Sequence, residues 1–142
     1  PILRKNKNIL YAIQQRLKEP YFGYYGFMAG KVRWGEKILE AAKRELKEEM
    51  NLEGEMSLSY ELHEMVYDKK GNMLEDKYFH CITVEIKDDT LRKNVEGCKN
   101  AWMSEKEFLL IKPKYHNEED IFNWFKKGNQ KFIEQTYFID KF

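Results

Sequence analysis

The apolar positions of residues 38–50 recur at steps of three and four, which is the period of an α-helix. Leu39, Ala42, Leu46 and Met50 form this stripe, and the segment contains no Gly, no Pro and no β-branched run. Charged residues occupy most of the positions between them. The pattern therefore predicts an amphipathic helix whose stripe packs against a core.

Two further helices are predicted near the C-terminal end. Ser104 and Glu107 have the spacing of a capping box, which predicts that SEKEFLL opens a short helix and that IKPKY ends it. Residues 118–127, EEDIFNWFKK, have a second amphipathic pattern that stops near Gly128.

The strands are predicted from alternation and from aromatic and β-branched residues. The clearest signal is a long hairpin, in which the turn composition KKGN separates two apolar-rich runs. The predicted strands are 2–4, 9–16, 56–68, 73–86 and 131–140, with a turn at KNKN (residues 5–8) and a polar loop at residues 87–94. Residues 18–27, KEPYFGYYGF, predict an irregular loop that carries aromatic rings.

Three glutamates share one patch of the first helix. Glu45, Glu48 and Glu49 lie at i, i+3 and i+4, so their carboxylates repel by a few tenths of a kcal/mol per pair, roughly. One interpretation is an ordinary solvated helix face that neighbouring Lys and Arg side chains partly neutralise. The other is a binding site for a divalent cation, because carboxylate oxygens are the ligands that Mg²⁺ prefers.

The wider spacing favours the second interpretation. Gly30 is followed after five residues by Glu36 and, after seven more, by RELKEEMNL (residues 44–52). This resembles the Nudix hydrolase signature G-x5-E-x7-R-E-U-x-E-E-x-G-U, where U is a bulky aliphatic residue, at eight of nine fixed positions. The exception is Asn51, where the family has Gly. Because Asn is the next residue best able to adopt the left-handed conformation that ends a helix, we expect Asn51 to do so.

The resemblance implies a fold and a chemistry. The fold is an α/β (α+β) class Nudix α/β/α sandwich, with a mixed sheet between helices, formed by residues 1–142 as a single domain. The activity is Mg²⁺-dependent hydrolysis of a nucleoside diphosphate linked to a group X, with Mn²⁺ as a possible substitute. The implied catalytic residues are Arg44, Glu45, Glu48 and Glu49, and the implied metal ligands are Gly30 (through its carbonyl), Glu45, Glu48, Glu49 and Glu96. In this reading Arg44 orients a ligand carboxylate through a forked hydrogen bond, and Glu36 supports that arrangement. The general base is Glu48, Glu49 or Glu96.

The substrate is less constrained. The markers of ADP-ribose and diadenosine polyphosphate enzymes, a Pro or Tyr about sixteen residues beyond the motif, are replaced by Asp68 and Lys69, although Tyr67 is one step away. The short chain, its aromatic loop and its acidic pair instead resemble MutT-like enzymes of the 8-oxo-dGTP type, which implies hydrolysis of a nucleoside triphosphate, oxidised or not, to the monophosphate plus diphosphate. A hydrolase of ADP-ribose, nucleotide sugars or dinucleotides is the alternative, and a non-catalytic nucleotide-binding domain is a third possibility that the intact glutamates disfavour.

Two groups of residues are candidates for contacts with the base. Tyr24, Tyr25 and Phe27 offer rings for stacking, or else belong to the core. Glu118 and Glu119 resemble an acidic pair that contacts the base from the loop before the last helix in purine-cleaning Nudix enzymes. They are equally explained as acids favoured at a helix start by the helix dipole.

Composition narrows the remaining classes. With 25 basic and 24 acidic residues the net charge is +1, which gives no global field for stable nucleic-acid or membrane binding. Two cysteines without metal-ligand spacing predict free thiols in the reducing cytoplasm. The partner expected is a small nucleotide, and the assembly a monomer or homodimer. The first residue is Pro, so an N-terminal piece could precede the chain.

Overall fold

The computed structural model describes residues 2–5, 9–87 and 90–140. Within these ranges eight strands form one sheet, and three α-helices pack on it. The strands are β1 (Ile2–Lys5), β2 (Leu10–Arg16), β3 (Tyr25–Gly26), β4 (Glu55–Asp68), β5 (Met73–Ile86), β6 (Asn94–Val95), β7 (Cys98–Met103) and β8 (Phe132–Ile139). The helices are α1 (Ile38–Met50), α2 (Glu105–Leu110) and α3 (Glu118–Lys127).

The sheet is mixed. Its strand order is β6-β7-β2-β1-β5-β4-β8, with β3 paired to β2 beside this path. The pairs β1–β5 and β4–β8 are parallel, and the others are antiparallel. The 14-residue strands β4 and β5 form the predicted hairpin, and buried residues alternate with partly exposed ones from Tyr60 to Asp68. This alternation gives β4 one covered face, as the sequence pattern predicted.

Strand β2 shows that both faces of the sheet are covered. Its residues Tyr11, Ala12 and Ile13 are all buried, although successive strand side chains point to opposite faces. Ala12 belongs to the apolar cluster that contains Leu46 and Met50 of α1. Tyr11 and Ile13 belong to a second cluster with Phe108 of α2 and Phe122 of α3. The sheet therefore lies between α1 on one side and α2 with α3 on the other, which confirms the predicted α/β/α sandwich.

Helix α1 has the bounds that the sequence pattern predicted, and Asn51 ends it. Asn51 has φ 55° and ψ 37°, the left-handed conformation, and its N–H donates to the carbonyls of Leu46 and Lys47. Two details of the apolar stripe differ: Leu39 is 45% exposed, whereas Ala41 is buried. Inclusion of Leu39 in the packed stripe was therefore wrong, because in the first turn of α1 it is the preceding residue, Ile38, that packs against the core cluster.

Other local predictions have mixed outcomes. The Ser104 capping box of α2 is confirmed, since Ser104 Oγ accepts from the N–H of Glu107 and the Glu107 carboxylate accepts from the N–H of Ser104. The aromatic loop includes the two-residue strand β3. The polar loop ends earlier than predicted, because Asn94 begins β6. Residues 6–8 of the KNKN turn and residues 88–89 of that loop lie outside the described residues. No helix in the described part of the chain is both long and apolar enough to cross a membrane.

Candidate active site

Arg44 organises the acidic end of the site. Its Nε and Nη2 donate to the two carboxylate oxygens of Glu36 at 2.8 and 2.9 Å, and Nη2 also donates to the Lys31 carbonyl at 3.0 Å. Its Nη1 donates to Glu45 Oε1 at 2.9 Å and to Glu48 Oε2 at 3.4 Å. The forked hydrogen bond of Arg44 that the resemblance implied is therefore made with Glu36. Glu45 and Glu48 each accept one hydrogen bond from Arg44.

The loop before α1 is tied to the helix through Glu36. Hydrogen bonds from Arg44 and from the Arg33 N–H lower the pKa of the Glu36 carboxyl to about 2. Glu36 is therefore ionised at neutral pH and keeps the guanidinium in one orientation. The supporting role predicted for Glu36 has a structural basis in these bonds.

Gly30 lies directly against Glu45. A β-carbon placed at Gly30 would stand 2.5 Å from Cγ and Cδ of Glu45, which is closer than any normal contact. The backbone of Gly30 therefore approaches this carboxylate in a way that no other residue type permits without displacing it. The structure thus brings together two of the predicted metal ligands.

A groove of about 340 Å³ lies at the C-terminal end of α1. It is lined by Glu48, Glu49, Arg92, Asn94, Val95, Glu96 and Cys98. Three of the predicted metal ligands, Glu48, Glu49 and Glu96, therefore face one open space, although Glu96 lies in the β6–β7 turn. Arg92 adds a positive charge to the same wall, and its Nη1 donates to the Glu48 carbonyl at 3.1 Å.

The electrostatics of Glu49 reflect this crowding of carboxylates. Burial raises the pKa of Glu49, a hydrogen bond from Gln14 opposes that rise, and the charges of Glu45 and Glu48 add to it. Burial and the neighbouring carboxylates disfavour the charged form of Glu49, and a nearby cation would stabilise that form.

The donor set suits a hard divalent cation, but it is not gathered into a finished metal site. Among the described residues no three His, Cys, Asp or Glu side chains converge closely enough to hold a metal ion. Arg44 Nη1 donates to both Glu45 and Glu48, so these two carboxylates are paired with a cation of the chain itself. The metal roles of these residues therefore remain a prediction.

The three predicted aromatic contacts separate in the structure. Phe27 packs 5.2 Å from the ring of Phe108, and both Phe27 and Tyr25 contact the core cluster beneath α2 and α3. Tyr24 lies in a group of tyrosine rings with Tyr21 and Tyr115, at centroid distances of 5.1 and 5.5 Å. Of the three, Tyr24 alone is absent from the core clusters of the described residues.

The predicted acidic pair also separates. Glu118 and Glu119 are the first two residues of α3 rather than members of the preceding loop. Glu118 is 6% exposed and accepts from the Phe27 N–H at 3.1 Å, whereas Glu119 is exposed and pairs with Lys114 Nζ at 2.8 Å. Burial raises the pKa of the Glu118 carboxyl to about 8. The two carboxylates therefore present different environments rather than one shared edge.

Three residues at the site were not found from the sequence. Gln14 on β2 and Asn100 on β7 contact Glu49, and Arg92 contacts the end of α1. Asn100 lies on the same face of β7 as Cys98 and Trp102, which was the available signal, whereas Gln14 belongs to the polar end of β2. Arg92 lies in a polar loop, where a single basic residue forms no recognisable pattern.

The chain combines an α/β/α sandwich with a helix whose acidic end faces a groove. Comparisons with known proteins identify the family to which it belongs. A sequence model of the NUDIX domain matches residues 1–125. The chain belongs to the Nudix hydrolase family. A comparison with curated proteins gives no match.

Solved structures of several Nudix proteins are similar in fold. The NUDIX domain of Shewanella oneidensis NrtR, in complex with ADP ribose, superposes with a TM-score of 0.73 at 14% identity, covering 89% of this chain and 82% of that one. The MutT protein from Bacillus halodurans gives 0.71 at 20% identity, covering 98% and 86%. An Ap4A hydrolase from C. elegans gives 0.55 at 18% identity, covering 89% and 90%.

Proposed function

We propose that this chain hydrolyses a nucleoside diphosphate linked to a group X with the aid of Mg²⁺, which Mn²⁺ can replace. The observation that carries the proposal is that Glu48, Glu49 and Glu96, from two distant parts of the chain, line one groove, and that Arg44 joins Glu45 to Glu48. Nudix hydrolases generally use divalent metal ions. The residues that would hold the ion are Glu45, Glu48, Glu49 and Glu96, with the carbonyl of Gly30.

The protein's own residues have distinct parts in this proposal. When bound, Mg²⁺ supplies Lewis-acid stabilisation of phosphate charge and lowers the pKa of the attacking water. Arg44, oriented by Glu36, donates to Glu45 and Glu48 and so sets the orientation in which both carboxylates would meet the ion. Arg92 offers a positive charge to a phosphate in the groove. A carboxylate accepts the proton of the water, and Glu48, Glu49 and Glu96 are the three candidates.

The substrate that we favour is a nucleoside triphosphate, oxidised or not, which is cleaved to the monophosphate and diphosphate. The likeness in fold to the Bacillus halodurans MutT protein is consistent with this choice. The likeness to a NUDIX domain bound to ADP ribose supports the second candidate, a hydrolase of ADP-ribose and related nucleotide sugars or dinucleotides.

The test of the general reaction is turnover over a panel of dNTPs, 8-oxo-dGTP, ADP-ribose, nucleotide sugars and dinucleotides, with and without Mg²⁺. Glu48→Gln should keep the fold and lose turnover by about 10²-fold or more, as other groups that stabilise transition-state charge do. Glu55→Gln, a change at an exposed acid at the start of β4, is the matched control and should behave as the parent. Near-normal turnover by a folded Glu48→Gln chain contradicts the assignment.

The proposed contacts with the base are tested by substituting Tyr24, Glu118 and Glu119 one at a time. Tyr24 is the ring proposed to stack on the base, and Tyr24→Ala should raise KM for all substrates alike because stacking tolerates any base. Glu118→Ala or Glu119→Ala should reduce the preference between 8-oxo-dGTP and dGTP while Mg²⁺ dependence stays unchanged, since hydrogen-bonding sites discriminate more strongly than apolar ones. If both acidic variants keep the substrate ranking of the parent, the proposal that these glutamates recognise a purine is wrong. The more general proposal of a nucleoside diphosphate hydrolase is then unaffected.

A further inference from the structure

Two amide side chains stand where the apolar face of the sheet meets the last turn of α1. In the β2–β7 pair, Ala12 is opposite Trp102 and Gln14 is opposite Asn100. Ala12 and Trp102 pack in the α1 core cluster. Because strand side chains repeat on one face every two residues, Gln14 and Asn100 continue that same face. Asn100 is only 3% exposed, so its polar atoms must find partners within the protein.

The partners of Asn100 determine how its amide is oriented. Asn100 Nδ2 donates to the carbonyls of Glu49 at 2.9 Å and Arg92 at 2.8 Å. Carbonyl oxygens only accept, so the Asn100 NH₂ group must face them and its Oδ1 must face the other way. Oδ1 accepts from Gln14 Nε2 at 3.1 Å. The orientation of the Gln14 amide is therefore fixed in turn, with its NH₂ group towards Asn100.

The same NH₂ group of Gln14 reaches the carboxylate of Glu49. Gln14 Nε2 donates to Glu49 Oε2 at 3.3 Å, and this bond joins residues 35 positions apart in the chain. The bond opposes the rise in the pKa of Glu49 that burial causes. A glutamate side chain has several rotatable bonds, and a donor that is itself fixed from behind selects one orientation of its carboxylate.

We propose that Gln14, fixed by Asn100, is a positioning residue that holds the Glu49 carboxylate ready for a divalent cation. The inference rests on the proposed function of Glu49. Hydrogen-bond partners of metal-binding carboxylates typically account for about 10–100-fold in metal affinity or activity. Gln14 thus couples the sheet to the acidic end of α1 through Glu49.

The test compares two adjacent glutamines. Gln14→Met keeps the length of the side chain and removes its donors, and Gln15→Met is the matched control because Gln15 donates instead to the Gly23 carbonyl at 3.3 Å. Mn²⁺ binding to each chain without nucleotide is measured by the paramagnetic resonance signal of free Mn²⁺, and kcat and KM are measured separately in Mg²⁺. Gln14→Met should weaken Mn²⁺ binding or lower kcat by about 10–100-fold, with a smaller change in KM. Gln15→Met should stay within about twofold of the parent, since its amide does not contact Glu49.

A second variant keeps the inference testable if Gln14→Met does not fold. Gln14→Leu also removes the donors, without adding a charge, and should weaken Mn²⁺ binding to a similar extent, with melting curves as the check on folding. Mn²⁺ affinity and kcat equal to the parent in a folded Gln14 variant overturn the inference and leave the proposed function intact. A parent chain that neither binds Mn²⁺ nor hydrolyses any nucleotide overturns both.

Discussion

The end of helix α1 allows a stability prediction whose size can be estimated from the structure. Asn51 adopts the left-handed conformation, its Nδ2 donates to the Thr90 carbonyl at 3.1 Å, and Thr90 Oγ1 donates to the Asn51 carbonyl at 3.0 Å. A β-carbon in this conformation costs about 1–2 kcal/mol, and less for Asn than for other residues. An exposed side-chain hydrogen bond contributes roughly 0.5–1 kcal/mol.

These two terms oppose each other in Asn51→Gly and add in Asn51→Val. The glycine variant gains relief from the β-carbon but loses the bond to Thr90, so its free energy of unfolding should stay within about 0.5 kcal/mol of the parent. The valine variant loses the bond and adds a β-branched side chain, so it should lose about 2 kcal/mol. For a chain of this size that corresponds to a melting temperature lower by roughly 6–8 °C.

The assay is thermal unfolding followed by circular dichroism, with urea unfolding as an independent measure of the free energy. Asn51→Ala should fall between the other two variants, because it loses the bond but carries no β-branch. Equal melting temperatures for the Gly and Val variants would show that the left-handed conformation is not what ends the helix. A large and equal loss in the Gly, Ala and Val variants would mean that the hydrogen bond from Asn51 Nδ2 to the Thr90 carbonyl dominates.

Two other predictions concern the carboxyl groups of Glu45 and Glu118. Gly30→Ala should lower kcat by about 10²-fold with little change in the circular dichroism spectrum, because its β-carbon would stand 2.5 Å from the Glu45 side chain and displace it; retention of parental kcat would contradict the close approach. Burial raises the pKa of Glu118 from about 4.5 in the unfolded chain to about 8 in the folded chain. Between these two pH values the unfolded chain releases a proton that the folded chain keeps. The stability that this group contributes therefore falls as the pH rises. Glu118→Gln should therefore melt higher than the parent at pH 8 and close to it at pH 4.5, and a parent that is the more stable of the two at pH 8 would refute this.

Much of the first helix and its chemistry could be predicted from local sequence. The bounds of α1, the left-handed Asn51 and the support of Arg44 by Glu36 depend on residues that lie within about two turns or one loop of each other. Helix periodicity, end-capping and the long spacing of the motif report such short-range interactions directly. The hairpin of β4 and β5 was predicted for the same reason, because a turn of four residues joins its strands.

The tertiary structure decided which side chains meet across long separations. Gln14 and Asn100 are 86 residues apart, yet together they orient Glu49, and no pattern in the sequence connects the two residues. Burial of Glu118 behind Phe27 spans 91 residues and separates it from its neighbour Glu119, although the sequence presents them as a pair. Such outcomes depend on strand order and on how α3 packs against the sheet, and neither leaves a periodic trace in the chain. The sequence alone thus determined the family and the acidic helix, whereas the fold determined which residues hold those acids in place.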